Sequence, residues 1–199
     1  MSLKVRGLRT TLLRPAHFEL ADGEVLIIRG PSGAGKTLLL RAIADLDPSD
    51  GEVEVDDLPR DHMSGPQWRR LVRYVAAEPG WWADCVGDHF RDPREAGVRA
   101  RRLGLPDGCM SSLVSRLSTG EKQRLGFLRS AEDCPRVLLL DEPTSSLDPV
   151  SELAVEMMLR ELLDEGASAI VVTHRVEQSK RFRGRCMYMD GGKLALAPT

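Results

Sequence analysis

The stretch VLIIRGPSGAGKT, residues 25–37, decides the fold. VLIIRG reads as a short strand buried on both faces, and TLLLRAIADL has the apolar spacing of a helix. Between them GPSGAGKT fits G-x-x-x-x-G-K-[ST], a match that counts only in this strand–turn–helix setting. Gly30, Gly33 and Gly35 let the backbone bend so that successive N–H groups point inward at a phosphate. The helix start adds its positive end. Lys36 supplies a mobile ammonium for the β- and γ-phosphates, and Thr37 a hydroxyl placed to ligate Mg²⁺. The cofactor-binding set is therefore Gly30, Ser32, Gly33, Ala34, Gly35, Lys36 and Thr37, for a nucleoside triphosphate.

Working outward, RVLLLDEP carries Asp141 and Glu142 to the end of another apolar strand, where parallel α/β sheets bind ligands. Asp141 suits a Mg²⁺ role, and Glu142 can polarise a water that attacks the γ-phosphate. His174 ends the strand ASAIVVTH at the same edge, placed to reach the γ-phosphate or hold that water. The other histidines (His17, His62 and His89) have no such setting and receive no role. GEVEVDD alternates like a half-buried strand, VRYVAA is a further short strand, and SELAVEMMLRELLDEG is a helix closed by Gly166. GRCMYMDGGKLALA predicts a final hairpin around a Gly-Gly turn. Apolar strands joined through helices predict a mainly parallel sheet covered on both faces, with an antiparallel β element. From about residue 80 the pattern loosens. A single domain over 1–199, with a small α-helical subdomain inserted at about 80–134, is expected.

Composition bounds the rest. The chain has 199 residues, enough for one sizeable domain, and 28 Lys+Arg against 30 Asp+Glu leave a net charge of −2. That balance offers no argument for nucleic-acid binding, and none is expected. Cys85, Cys109, Cys134 and Cys186 form no CxxC pair, which fits a reducing compartment. Cys85 and His89 stand four apart without a second pair to complete a metal site. The start lacks a signal-peptide run, and no window is apolar for the roughly 20 residues a membrane helix needs.

Between these strands lies LSTGEKQRL, residues 117–125, and after the acidic strand comes DEPTSSLD, residues 141–148. With the phosphate loop and His174 in order, the chain resembles an ATP-binding-cassette (ABC) ATPase along nearly its whole length. The resemblance implies a P-loop NTPase core, ATP and Mg²⁺ as ligands, and a homodimer that sandwiches ATP between subunits. Ser118 and Gly120 of one subunit would bind the γ-phosphate held by Lys36 of the other, and Asp148 would cross the interface. Hydrolysis would reopen the dimer and drive a membrane permease on a separate chain, with this chain cytoplasmic and peripheral at the inner face of the membrane. Other readings are a soluble cassette in DNA repair or ribosome-associated work, and a regulatory nucleotide-binding module of low turnover.

Three positions depart from the family pattern. Thr119 and Glu121 replace a glycine and the glutamine of the signature. The region near GLRTTLLRP, where the family offers an aromatic to stack on adenine, has none, leaving Arg9 as substitute. In YVAAEP, Ala77 stands where the family offers glutamine, with Glu78 as the nearest replacement and reduced or differently coupled hydrolysis expected. Trp81 and Trp82 follow at once. They either plug the inserted subdomain or anchor a partner, the resemblance placing the permease's docking region here.

Overall fold

Three runs that are apolar but for one end residue each form the centre of the main sheet. In the computed structural model, which describes residues 3–182 and 184–197, these are β3 (Val25–Arg29), β7 (Val137–Asp141) and β8 (Ser168–Val172). Two antiparallel strands open the chain, β1 (Leu3–Arg9) and β2 (Ala16–Leu20). After β3 come α1 (Lys36–Ile43), β4 (Asp50–Val55), β5 (Leu58–Pro59), α2 (Gly65–Leu71) and β6 (Val72–Val75). Helices α3 (Pro93–Arg102) and α4 (Thr119–Ser130) precede β7, and α5 (Pro149–Asp164) links β7 to β8. The chain closes with α6 (Val176–Phe182), β9 (Arg185–Asp190) and β10 (Lys193–Leu196).

The six-stranded sheet has the order β10-β9-β3-β8-β7-β6 and is parallel except for the β9–β10 hairpin. Gly191 and Gly192, both at positive φ, make the two-residue turn of that hairpin, as its sequence predicts. A second, antiparallel sheet has the order β2-β1-β4-β5. Because successive side chains of a strand point to opposite faces, the apolar runs split between two cores. Leu26, Ile28, Leu139 and Ile170 pack with Leu39, Leu40 and Ile43 of α1, and with Val5 and Phe18 of the antiparallel sheet. Ile27, Leu138, Leu140 and Val171 pack with Phe127 and Leu128 of α4 and Val155 and Leu159 of α5. Burial on both faces is what removes polar alternation from these strands.

Register then fixes the functional edge. Asp141 pairs with Val172, and Val172 with Ile28, so the C-terminal ends of β7, β8 and β3 lie side by side. Residues just beyond those ends converge. Between β6 and β7, short 3₁₀ turns and α3 carry their own buried side chains, Val86, Phe90, Leu103 and Leu105, onto α4. Among the described residues no helix is long and apolar enough to cross a membrane.

Candidate functional site

An open cavity of about 270 Å³ lies at this edge, lined by Ser32, Gly33, Gly35, Lys36, Thr37, Leu38, Asp141, Glu142 and His174. Gly30 and the buried Ala34 belong to the same loop but do not line the cavity. A Cβ at Gly30, whose φ is +149°, would fall 2.0 Å from the Met189 carbonyl oxygen, so only glycine lets the loop leave β3 against the hairpin. Helices α3, α4 and α5 are each capped by a side chain, from Asp92, Ser118 and Asp148. Helix α1 begins at Gly35 with no side-chain cap and no acid in its first turn, leaving its N-terminal N–H groups to an anion. Lys36 is buried, and its ammonium donates to the carbonyls of Gly30 (2.9 Å) and Pro31 (2.8 Å). Burial pushes its pKa down, while the charges of Glu142 and Asp141 act the other way. An incoming phosphate would compensate that buried charge.

The Thr37 hydroxyl donates to Asp141 Oδ2 at 2.7 Å, and the Tyr74 hydroxyl donates to the same oxygen at 3.1 Å. Burial, reinforced by the Asp141 charge, drives the Tyr74 pKa upward, so the phenol remains a proton donor. A hydroxyl and a carboxylate are hard oxygen donors suited to Mg²⁺, and the remaining positions would be filled by phosphate and water. The donor set fits that ion.

Glu142 stands just past β7 in the left-handed region, with φ 49°. Two contacts hold it there: its N–H donates to the Val172 carbonyl (3.0 Å), and its carbonyl accepts from Gln123 Nε2 (2.9 Å). The carboxylate is thereby set 3.1 Å from His174 Nε2. Gln123 went unnoticed in the sequence because a glutamine on a helix ordinarily faces water. Here it is buried, and it ties α4 to Ala77 O (3.4 Å), Ser145 Oγ (3.2 Å) and the Ser146 N–H (3.1 Å).

The remaining expected residues do not line this cavity. Ser118 is the N-cap of α4, and its backbone N–H and hydroxyl both donate to Glu121 Oε2 at 2.8 Å. These bonds from Ser118 hold the Glu121 carboxyl below its usual range. Gly120 lies beside the turn before α5, since an added Cβ would sit 3.3 Å from the Ser146 carbonyl oxygen. Asp148 caps α5, accepting from the Val150 and Ser151 N–H groups. The structure thus brings the expected residues into two groups on one chain, with Lys36, Thr37, Asp141, Glu142 and His174 in one and Ser118, Gly120 and Asp148 in the other. One turn beyond Asp148, the buried Glu152 accepts from Arg175, the neighbour of His174, and from Arg181, which also pairs with the buried Glu156. No spacing rule in the sequence marks this network.

Two expectations shift. Arg9 Nε donates to Asp50 Oδ2 at 3.3 Å, and the side chain against the phosphate loop is that of Leu13, 2.8 Å from a Cβ placed on Gly35. Glu78, the offered replacement for glutamine at position 77, is exposed and lines no part of the cavity. Of the tryptophans, Trp81 is half-buried against the helical core while Trp82 is 71% exposed. His89 organises both. Its Nε2 accepts from the Trp82 (3.0 Å) and Ala83 (3.1 Å) N–H groups, and its Nδ1 bonds the Cys85 carbonyl (3.0 Å).

A sequence profile of the family described as ABC transporter matches residues 13–145. The chain is 34% identical to the L-cystine transport system ATP-binding protein TcyN of Escherichia coli (strain K12), covering 92% of this chain and 82% of that protein. It is also 34% identical to an ATP-dependent lipid A-core flippase of Burkholderia pseudomallei (strain 1710b), covering 92% of this chain. It spans about a third of the length of the flippases it matches. In fold it superposes with a TM-score of 0.83, at 21% identity, on a dimeric post-hydrolysis state of the ATP-binding cassette MJ0796 bound to ADP and Pi, over 99% of this chain and 100% of that one.

Proposed function

Because this chain belongs to the ABC transporter family, we propose that it binds and hydrolyses ATP to power a membrane permease. The single observation that carries the reading is the convergence of Lys36, Thr37, Asp141, Glu142 and His174 on one cavity at the strand ends. Lys36 and the uncapped start of α1 hold the phosphates. Thr37 and Asp141 would hold Mg²⁺, which when bound neutralises charge on the phosphates. Glu142 accepts a proton from the attacking water, and His174, 3.1 Å away, keeps that carboxylate and water in line.

In this reading two copies face each other. Ser118, Gly120 and Asp148 of one protomer complete the phosphate site of its partner, which accounts for their separation from Lys36 within one chain. Glu121 would have to release Ser118 for the hydroxyl to meet a phosphate. The fold shared with a dimeric cassette supports the pairing. The permease is read as a separate chain, in keeping with the transport-system ATP-binding relative whose length this chain mostly spans. In this reading the permease docks beside Trp82, which is exposed, and Trp81, which is half-buried, with the chain peripheral at the membrane.

ATP turnover of the purified chain, beside Glu142→Gln, tests the proposal. Turnover should fall by about 10²–10⁴-fold in the variant, with nucleotide binding retained. Equal rates would remove Glu142 from the mechanism.

A further inference from the structure

Away from the nucleotide cavity, an open groove of about 530 Å³ runs between the end of β6 and α4, its walls including Arg73, Pro79, Trp82, His89, Gly126 and Arg129. At Gly126 the loop packs directly on α4, since a Cβ there would fall 2.3 Å from Pro79 Cγ. The Arg129 guanidinium lies 4.6 Å from the Trp82 ring centroid and 4.9 Å from that of Trp81, a cation–π stack. Its Nη2 donates to the Gly80 carbonyl at 3.0 Å. Its Nη1 is buried with no acceptor among the described residues, and so is Nε of Arg73. Burial lowers the Arg129 pKa, and the like charge of Arg73 adds to the effect against Glu132.

Two acids line the same groove but neither reaches Arg129: Asp133 pairs closely with Arg91 (2.5 Å) and more loosely with Arg73 (3.8 Å), while Glu132 accepts from the Arg91 backbone N–H at 3.1 Å. Buried N–H donors of a cation favour an acceptor that closes them, most strongly a charged one. The exposed Trp82 ring beside them offers an apolar face.

We propose that this groove receives a segment of the membrane partner carrying a carboxylate next to an apolar side chain, the carboxylate meeting Arg129 and Arg73 and the apolar group covering Trp82. This rests on the reading that the permease docks beside Trp81 and Trp82. It adds what the docking segment must offer: a single acid for the donors of Arg129 and Arg73 that lack an acceptor among the described residues.

The probe is a helical synthetic peptide of leucine and alanine with one central glutamate, paired with the same peptide bearing glutamine. Binding to the full chain is read from tryptophan fluorescence and checked by calorimetry. The glutamate peptide should bind at least about tenfold more tightly, and Arg129→Met should erase that difference. If Arg129→Met does not fold, Arg129→Lys takes its place, and the preference should shrink about threefold because lysine lacks the planar fork. Equal binding of the two peptides, or a preference that survives these substitutions, overturns the proposal. Trp82→Ala separates the two ideas. If it weakens both peptides alike while they bind equally, docking at this surface stands and the carboxylate preference fails. If neither peptide binds, or Trp82→Ala changes nothing, the docking reading fails as well.

Discussion

Replacing Gln123 by leucine should impair catalysis without altering any side chain that lines the nucleotide cavity. Gln123 Nε2 donates to the Glu142 carbonyl at 2.9 Å and to Ser145 Oγ at 3.2 Å, with a longer contact to Ala77 O, and its Oε1 accepts from the Ser146 N–H at 3.1 Å. Near-linear neutral bonds contribute about 1 kcal/mol each, and a buried backbone group left unpaired costs about 1–3 kcal/mol. Loss of the shorter bonds at this buried position, partly offset by leucine's apolar surface, should lower stability by about 2–4 kcal/mol. Glu142 holds a left-handed backbone that a non-glycine residue adopts only when its surroundings impose it. With its carbonyl released, the carboxylate loses its fixed direction toward His174. Turnover should fall by about tenfold to a hundredfold, while KM for ATP stays within about twofold because Lys36 and Thr37 are untouched. Urea denaturation and steady-state ATPase measure the two effects. If stability falls as stated while kcat is unchanged, Gln123 is only a structural tie and the clamp on Glu142 is refuted.

Lys36→Met should weaken ATP binding by about thirtyfold or more, read by titration with a fluorescent nucleotide, since a buried cation aimed at the phosphate site is lost. Glu152→Ala should lower stability by about 1–3 kcal/mol in denaturant melts, less than a fully buried pair, because Arg175 and Arg181 are 42% and 34% exposed and can turn to water. The pH dependence follows from Asp148. Its carboxyl is held below 3.8 chiefly by the Ser151 hydroxyl, so its cap on α5 is in full force above that value and lost as pH falls through the lower folded pKa. Asp148→Ala should flatten the acid limb of the stability profile below about pH 4, and an unchanged limb would deny the cap that role.

How much was legible beforehand differs from element to element. The strands VLIIR and VLLLD announce themselves because burial on both faces leaves no polar position before the last, and the phosphate loop announces itself because glycine, lysine and threonine must stand at set intervals. LKVRGLR, which forms β1, did not. It pairs with β2 and β4 on a sheet with one half-polar face, and Gly7 at φ +65° breaks its alternation with a bulge. Helix α2 went unread as well; Ser64 and Gln67 form a capping box at its start, and its packing rests on Trp68, fully buried with its indole N–H donated to the Ile43 carbonyl at 2.8 Å.

The chemical inventory of the site was set by local sequence: which oxygen and nitrogen atoms are available, and which of them follow a strand and open a helix. That part is decided within a few residues by backbone sterics and helix ends. What only the tertiary structure decided is which of these groups meet. The register of β7 on β8 on β3 brings Asp141, Glu142, His174 and Lys36 together from distant positions. Burial turns Gln123 into a clamp and Arg129 into a cation without a carboxylate partner among the described residues. It also parts the two tryptophans, seating Trp81 against the helical core and leaving Trp82 to water. Adjacent residues on an irregular loop have no periodicity to assign them to an inner or outer face; both rings meet His89 and Arg129, and only the packing of Trp81 on the helical core separates them.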